Sequence, residues 1–466
     1  MILDLRTTGC DKYIELVREY NSFDKRKAHV ITFGCQQNEA DSEKIRALAL
    51  SMGYLLTENL ENADLIVINT CAIRQHAESK ALSILGRFKA MKRKNPNLII
   101  GVAGCMVAQP HVSDMLKTDF HYVPFTVEPN LLHKIPELIW DYVSKRARGF
   151  IHSTDEGNIV EGIEPVRSLR HRAWVSIMYG CNNFCSYCIV PYVRGRERSR
   201  NSEDIIIECK ALVASGCKEI TLLGQNVNSY RSDVDFAGLL ERIAGIEGDF
   251  LIRFMTSHPK DCSDELIEVM AKHTPKIAPY FHLPLQSGSN AILRVMNRRY
   301  TKERFIELAL KLRESIPGIA LSTDIIVGFP GETEEDFCDT MDVLRRVEFD
   351  LVYSFIYSAR VGTPAAKMDN QVPRTVCDDR MARLLKLQDE IGAGRNHTYL
   401  GKTLRVLVDS VENRDNMLIA NARTDNNKLV HFPTETCRTG HFEMVKIIRT
   451  GAFDLFGERI EVKNND

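Results

Sequence analysis

The stretch Ala173-Trp174-Val175-Ser176-Ile177-Met178-Tyr179-Gly180-Cys181-Asn182-Asn183-Phe184-Cys185-Ser186-Tyr187-Cys188 frames the reading of the whole chain. Residues 173–179 are mostly apolar or β-favouring and predict a buried strand. Three cysteines with C-x3-C-x2-C spacing follow directly beyond its carboxyl end. Barrels of β/α units carry their chemistry on the loops at the carboxyl ends of their strands, so a thiol-rich loop here points to a barrel. Downstream the alternation repeats, with apolar strands predicted at 219–224, 251–256, 281–285, 321–327 and 351–356. Helical periodicity fills the gaps, for example at 203–215, 302–315 and 333–346. Six units are too few for a closed eight-unit barrel, so residues 171–398 are expected to form a partial (β/α)6 barrel, with a linear doubly wound sheet as the alternative.

Upstream, His29–Gly34, Leu65–Asn69 and Leu98–Ala103 read as strands, with helices at about 38–52 and 74–91. Short apolar strands alternating with helices predict an N-terminal doubly wound α/β domain over 28–147, followed by a polar linker at 148–170. From residue 401 to 464 the helices stop. Five short strands are predicted, at 403–411, 417–423, 428–432, 444–450 and 459–463, which suits a small all-β barrel of the oligonucleotide-binding kind. The fold class is therefore α/β with a C-terminal β-barrel.

The bulk numbers agree with a large soluble protein. The chain has 466 residues, 44% of them hydrophobic and 26% charged, which predicts two to four domains. No apolar run reaches the roughly 18 residues of a membrane span, and the first residues lack the features of a secretory signal. A cytoplasmic location without membrane attachment is the expectation. Net charge is −1, so charge alone gives no support for a nucleic-acid partner, and any RNA-binding surface must be local. The thirteen cysteines are an odd number and cannot be a fully paired disulfide framework. In a reducing compartment clustered cysteines are more often ligands.

Three thiolates as close as Cys181, Cys185 and Cys188 can hold three irons of a 4Fe–4S cube and leave the fourth open to a small molecule. Structural zinc would prefer a fourth protein ligand, and no further Cys or His lies nearby in sequence. A second set is Cys35, Cys71 and Cys105, which sit just past the three N-terminal strands, 36 and then 34 residues apart. Parallel strands place their carboxyl ends on one sheet edge, so these three are predicted to converge there, with three buried structural cysteines as the alternative. Cys10, Cys209, Cys217, Cys262, Cys338, Cys377 and Cys437 show no mutual ligand spacing and read as packing or surface residues.

At this point the chain resembles the radical S-adenosylmethionine (SAM) superfamily, and within it the methylthiotransferases of the MiaB type that act on tRNA. The resemblance spans residues 28–460 and rests on several segments. They are 34–38 (Gly-Cys-Gln-Gln-Asn), 69–74 (Asn-Thr-Cys-Ala-Ile-Arg), Gly104-Cys105, 180–200, 224–228 (Gly-Gln-Asn-Val-Asn), 256–259, 283–289, 324–333 and 358–364. It implies two 4Fe–4S clusters, one on Cys181, Cys185 and Cys188 that cleaves SAM, and an auxiliary one on Cys35, Cys71 and Cys105 that presents a sulfur. It further implies transfer of a methylthio group to carbon 2 of isopentenyl-modified adenosine beside the anticodon. The C-terminal barrel resembles a TRAM domain, although from Lys402 onward ten Lys/Arg face ten Asp/Glu.

Other barrel residues follow from position. Gln225 ends the second strand, where a polar group can hold the methionine amine of SAM. Gln286 and Ser287, after the fourth strand, can bond its ribose or carboxylate. Gly328–Thr333 resembles the segment that meets the nucleoside. Arg167, Arg170, His171, Arg172, Arg194, Arg196, Arg198 and Arg200 flank the thiol loop and suit phosphate recognition, with a solvated charged face as the alternative. The expected partners are the tRNA anticodon stem-loop, an electron donor such as a flavodoxin or ferredoxin, and a sulfur or iron–sulfur carrier, the protein itself being a monomer. Rival readings are a sister enzyme acting on threonylcarbamoyl-adenosine in tRNA or on a ribosomal-protein aspartate, and a non-catalytic RNA-binding iron–sulfur protein.

Overall fold

The computed structural model describes residues 2–5, 8–72, 75–152, 159–435 and 438–460. The chain divides into two compact units. The first comprises residues 1–168, 178–182 and 188–200; the second comprises 169–177, 183–187 and 201–466.

The first unit opens with β1 (Ile2–Asp4) and α1 (Cys10–Asn21), then alternates strongly. Its elements are β2 (Lys27–Thr32), α2 (Gln36–Ser51), β3 (Leu55–Leu56), β4 (Leu65–Thr70), α3 (Gln75–Lys94), β5 (Ile99–Gly104), α4 (Pro110–Thr118), β6 (Phe125–Val127), α5 (Ile135–Lys145), β7 (Gly149–Ile151) and β8 (Ile159–Glu161). Six strands form one parallel sheet in the order β3-β2-β4-β5-β6-β7. The central β4 and β5 are buried along their whole length because helices cover both faces. On one face Leu65, Val67 and Ala103 pack with α1, α2 and α5; on the other Ile66, Ile68 and Val102 meet Leu85, Phe88, Val112 and Leu116. Gly101 is required where it stands: a Cβ there would lie 2.1 Å from the ring of Phe125 on the neighbouring strand.

The three strands predicted in this region are present, but β6, β7 and the two-residue β3 left no readable period. The stretch read as a linker carries β7 and also β8, which pairs in parallel with β1. Three-residue strands are too short for alternation to declare itself.

The chain enters the second unit with β9 (Arg172–Ser176) and returns to the first for β10 (Met178–Tyr179), α6 (Val190–Arg194) and β11 (Arg198–Ser199). The second unit continues with α7 (Ser202–Ala214), β12 (Glu219–Leu223), α8 (Phe236–Ala244), β13 (Leu251–Phe254), α9 (Asp264–Lys272), β14 (Tyr280–His282), α10 (Asn290–Val295), α11 (Lys302–Ser315), β15 (Ala320–Val327), α12 (Glu334–Val347) and β16 (Leu351–Ile356). Strands β9, β12 and β13 pair in parallel, as do β14, β15 and β16, and a parallel bridge between Ile252 and Ile277 joins the two sets. Six β/α units thus follow one another in sequence order, as a partial barrel requires. Side chains cap the helix starts, from Asn201 and Asp235 to Ser263, Ser289 and Thr301, and α12 has a full capping box of Thr333 and Asp336.

The 24-residue α13 (Arg374–His397) leads to a closed barrel of β17 (Thr403–Arg414), β18 (Met417–Thr424), β19 (Leu429–Pro433), β20 (Phe442–Thr450) and β21 (Asp454–Arg459). Its core is Val406, Val408, Ala420, Val430, Phe432, Val445, Ile447 and Leu455. The last strand is a correction: the sequence predicts it at 459–463, but it runs over Asp454–Arg459, with three residues between it and the end of β20. Gly457 interrupts its alternation in sequence, yet the structure needs it, since a Cβ there would lie 2.4 Å from Val445 Cγ1. Residues 461–463 of the expected strand lie outside the described residues.

Buried charge joins the closed barrel to the partial one. Arg253 of β13 pairs with Glu219 at 2.6 Å and donates to the carbonyls of Thr424 and Asp425, both at 2.9 Å. Arg172 bonds Asp409 at 2.5 Å, and Lys428 pairs with Asp350 at 2.9 Å, where Arg313 and Arg395 also gather.

Candidate functional site

In the first unit the sheet edge brings the three dispersed cysteines to one place. Strands β2, β4 and β5 are adjacent and parallel, so their carboxyl ends share an edge. Cys35 is the N-cap of α2, Cys71 follows β4 directly, and Cys105 opens a 3-10 turn after β5. The Cys35 and Cys71 thiols are in hydrogen-bond contact. That bond lowers the Cys35 thiol to about 6 against the opposing cost of burial, helped by Arg194 and the N–H groups of Asn38 and Gln37. Burial pushes the Cys105 thiol up, and Arg194 opposes it with Nε 3.1 Å from Sγ.

Arg194 is 3% exposed and its Nη2 lies 2.8 Å from Asp41 on α2. A buried guanidinium held by one carboxylate and facing two thiols gives this edge a fixed positive charge. Behind it, Asn38 Nδ2 donates to Asn69 Oδ1 and to the Thr70 carbonyl, both at 3.2 Å. Asn69 returns a bond to the Asn38 carbonyl at 2.8 Å. Two glycines allow the close approach. A Cβ on Gly34 (φ +131°) would lie 2.6 Å from Cys71 Cβ, and one on Gly104 (φ +99°) would lie 2.4 Å from Asn69 Oδ1 and the Thr70 carbonyl.

This arrangement fits an iron–sulfur cluster: its donors are all thiols, one is already acidic, and a buried cation offsets the added negative charge. Among the described residues no three Cys, His, Asp or Glu side chains are grouped so as to hold a metal ion.

The thiol loop is shared between the two units. In the first, β10 and β11 pair in antiparallel fashion and clamp its ends. The Cys181 N–H donates to the Gly195 carbonyl at 3.1 Å, and the Asn182 N–H to Glu197 at 3.1 Å. Gly180 has φ +78°, and a Cβ there would strike the Arg196 carbonyl oxygen. Cys188, half-buried, leads directly into α6. In the second unit Cys185 is buried, with Arg298 Nη1 3.5 Å from its Sγ and Arg298 Nη2 2.7 Å from the Pro284 carbonyl. The flanking Ser186 is pinned by backbone bonds to Met296 (3.0 Å) and Ala365 (2.9 Å), and Tyr187 packs on Ile292, Met296 and Phe329.

The remaining predicted residues fall at carboxyl ends of barrel strands. Gln225 lies just past β12, beside Asn226, whose Nδ2 bonds Asp261 at 2.8 Å and whose Oδ1 is buried without a partner. Gln286 adopts φ +72°; its N–H donates to the Asp324 carbonyl (2.8 Å) and its carbonyl accepts from Ile326 (2.9 Å). Ser287 has no exposed surface, and its Oγ accepts the Ser289 N–H at 3.2 Å. In Gly328–Thr333, Glu332 accepts from the Gly328 N–H and pairs with Arg380, both at 2.8 Å, so this turn carries its own buried ion pair.

Part of the basic stretch is a correction. Arg167 pairs with Glu43, Arg172 with Glu219 and Asp409, Arg194 with Asp41 and Arg200 with Glu161, and Arg194, Arg200 and His171 are buried. These four arginines are held by carboxylates of the protein, while Arg170 and Arg196 are exposed. Sequence reasoning missed the roles of Arg194 and Arg298 beside thiols, because nothing in a string of arginines says which one turns inward. Cys437 lies outside the described residues, and Cys10, Cys209, Cys217 and Cys377 are buried.

Comparison with known proteins places this geometry in a family. The model of the Radical SAM superfamily matches residues 175–344, and that of Uncharacterized protein family UPF0004 matches residues 27–126. A relative from Caldicellulosiruptor saccharolyticus, 51% identical over 436 residues, covers 93% of this chain and 92% of its own; it is a tRNA-2-methylthio-N(6)-dimethylallyladenosine synthase. A relative of the same name from Thermoanaerobacter sp. (strain X514) is 47% identical over 456 residues, covering 97% and 96%. Among solved structures, the radical SAM methyltransferase TsrM from Kitasatospora setae aligns with TM-score 0.53 at 14% identity, over 73% of this chain and 75% of that one. The cobalamin-dependent radical SAM enzyme OxsB aligns with TM-score 0.55 at 12% identity, over 81% and 68%. At such identities these two support the fold alone.

Proposed function

The chain belongs to the family of tRNA-2-methylthio-N(6)-dimethylallyladenosine synthases, and from that premise we propose that Cys181, Cys185 and Cys188 hold its SAM-cleaving cluster and Cys35, Cys71 and Cys105 its auxiliary one. It is a radical SAM methylthiotransferase of tRNA that works with two 4Fe–4S clusters and SAM. The product is the adenosine bearing the methylthio group on carbon 2 and the dimethylallyl (isopentenyl) group on N6. The observation that carries the reading is the meeting of the Cys35, Cys71 and Cys105 turns on one sheet edge, in a chain nearly half identical to its relatives along almost its full length. The relatives' shared name favours this substrate over threonylcarbamoyl-adenosine or a ribosomal-protein aspartate. A radical SAM enzyme fold argues against a passive iron–sulfur sensor.

When bound, the loop cluster supplies the electron that cleaves SAM to the 5′-deoxyadenosyl radical, and the auxiliary cluster supplies the sulfur. The protein's own groups do the rest by placement. Arg194 and Arg298 set positive charge and N–H donors against the thiols, which lowers the cost of burying anionic sulfur. Asn226 Oδ1, buried and unpartnered, is the acceptor best placed to receive the ammonium of SAM, with Gln225 beside it. Gln286, held in a left-handed conformation by two backbone bonds, presents its side chain to the ribose or carboxylate, while Ser287 closes the turn.

The domains proposed are 28–147 for the auxiliary site, 148–170 as a connection that also carries β7 and β8, 171–398 for the radical SAM barrel and 401–464 for a TRAM-like barrel. No helix among the described residues is long and apolar enough to cross a membrane. A cytoplasmic monomer served by a flavodoxin or ferredoxin and a sulfur or iron–sulfur carrier completes the proposal, with the anticodon stem-loop as the part of tRNA engaged.

The test is anaerobic. Reconstituted protein is assayed for iron, then incubated with SAM, reductant and isopentenylated anticodon stem-loop, and the RNA is examined by mass spectrometry. About eight irons with a methylthio adduct is the expected result. About four irons overturns the assignment of Cys35, Cys71 and Cys105, and 5′-deoxyadenosine without the adduct moves the substrate to a sister target.

A further inference from the structure

The first unit contains a cavity of about 410 Å³ that none of the chemistry above uses. Its size falls in the range of small-molecule and nucleotide sites. Its walls come from the 3-10 turn that Cys105 opens, from α4, from the ends of β6 and β7, and from α6 just after Cys188. Ala108 and Val193, two of the lining residues, pack in the same apolar cluster as Cys105. The cavity therefore adjoins the auxiliary thiols.

One wall is polar and rigid. His152 is held through both ring nitrogens: Nδ1 lies 3.0 Å from Glu128 Oε1, and Nε2 lies 2.9 Å from Ser113 Oγ. With a proton on Nδ1 donated to that carboxylate, Nε2 is left to accept from the Ser113 hydroxyl. The arrangement looks like a hydrolytic triad, but Ser113 sits in the body of α4 with its N–H spent on the Gln109 carbonyl at 3.0 Å. With Pro110 opening that helix, no pair of free N–H groups is left beside Ser113 to stabilise an oxyanion, which argues for binding rather than hydrolysis.

The other walls carry what a nucleotide needs. Tyr192, a residue 49% exposed, adds an aromatic ring, Lys117 brings a cation whose partner Asp114 is 3.7 Å away, and Asn130 adds an amide. Unstacked RNA bases are held by an aromatic face and by hydrogen bonds along their edges, and their phosphates by cations. We propose that this cavity is a second nucleotide subsite, which takes one unstacked base of the RNA loop adjacent to the target. Tyr192 stacks on the base, Lys117 meets the phosphate, and Asn130 with the Ser113–His152–Glu128 relay reads the edge. The inference rests on the tRNA substrate assigned above and specifies how the loop is splayed open.

The test measures binding of fluorescently labelled anticodon stem-loops to the reconstituted protein by anisotropy, with iron content checked for every variant. One series of RNAs carries a single abasic site at each position flanking the target. Tyr192→Ala and Lys117→Gln are expected to weaken binding about tenfold each, and Tyr192→Phe, which keeps the ring, to bind like the wild type. One abasic position should cost the wild type about tenfold and cost Tyr192→Ala nothing further, because base and ring have one contact to lose. Additive losses at every position, or unchanged binding by both Tyr192→Ala and Lys117→Gln, overturn the subsite while leaving the substrate intact. Failure of the wild type to bind any stem-loop overturns the substrate assignment and the subsite with it.

Discussion

The molecule builds its two sets of three cysteines in opposite ways. Cys181, Cys185 and Cys188 lie within eight residues, and their spacing alone announces them. Cys35, Cys71 and Cys105 span 71 residues, and only the register of a parallel sheet brings their turns to one edge. The first kind of site is written in the chain and needs a fold only to hold it. The second kind is made by the fold, so its integrity depends on distant contacts such as Gly34 against Cys71 and Gly104 against Asn69. Each set nevertheless recruits a buried arginine: Arg194 touches Cys105 and Arg298 touches Cys185.

The largest test of this contrast is functional. Cys181→Ala is expected to abolish 5′-deoxyadenosine formation altogether, read by chromatography of the reaction. Cys71→Ala should keep that activity, lose the methylthio product and retain about four irons. Loss of both activities in Cys71→Ala would mean that the two sets do not work as separate centres.

Next come the arginines. Arg194→Met leaves Asp41 buried without its cation, a change worth about 3–5 kcal/mol. Arg298→Met deprives the Pro284 carbonyl of one donor but strands no carboxylate, and should cost about 1–3 kcal/mol. Calorimetric melts of the two variants should rank them in that order, and equal losses would show that Asp41 finds another partner.

Acid should act on both units. Burial first, then Lys134, depresses His133 in the first unit to about 4, and burial first, then Arg298, depresses His258 in the second to about 2. Each is neutral when folded, so below about pH 6.5 the unfolded chain binds the extra proton. Their stabilisation is complete above pH 6.5 and falls as pH drops, by about 2 kcal/mol each at pH 5. Melting temperatures of His133→Gln and His258→Gln across pH 5–8 should show a flatter acid limb than the wild type, and an unchanged limb would locate the acid sensitivity elsewhere. The smallest effect is expected at the exposed Arg304–Glu307 pair, where Arg304→Ala should change stability by less than about 0.5 kcal/mol.

Much of this architecture was legible in the chain. Strand β16 falls at 351–356 and helix α11 at 302–315, as the periodicity predicts, because long, strongly patterned segments with caps such as Thr301 leave little choice. Short strands at Gly149–Ile151 and Ile159–Glu161 were illegible because three residues carry no period. The cysteine turns could be placed from strand order, but their electrostatics could not. Arg194 looked like one more cation in a basic run, and α2 buries Gln37, Asn38, Asp41, Ser42 and Glu43, a polar face that hydrophobic patterning reads as solvent-exposed. Polar residues turned inward to serve a site are where pattern reasoning fails for a physical reason.

The salt-bridged seam between the partial barrel and the closed one has a practical consequence for anyone dissecting the protein. Ending the chain at residue 400 would remove the carbonyls that Arg253 donates to, the lysine that neutralises Asp350 and the aspartate that pairs with Arg172. A truncated enzyme would report the damage of stranded charge at the foot of β9, β13 and β16, and that damage would masquerade as lost RNA affinity. Point substitutions on outward-facing side chains of the closed barrel, such as Met417 and Ile448, change its surface and leave the seam whole.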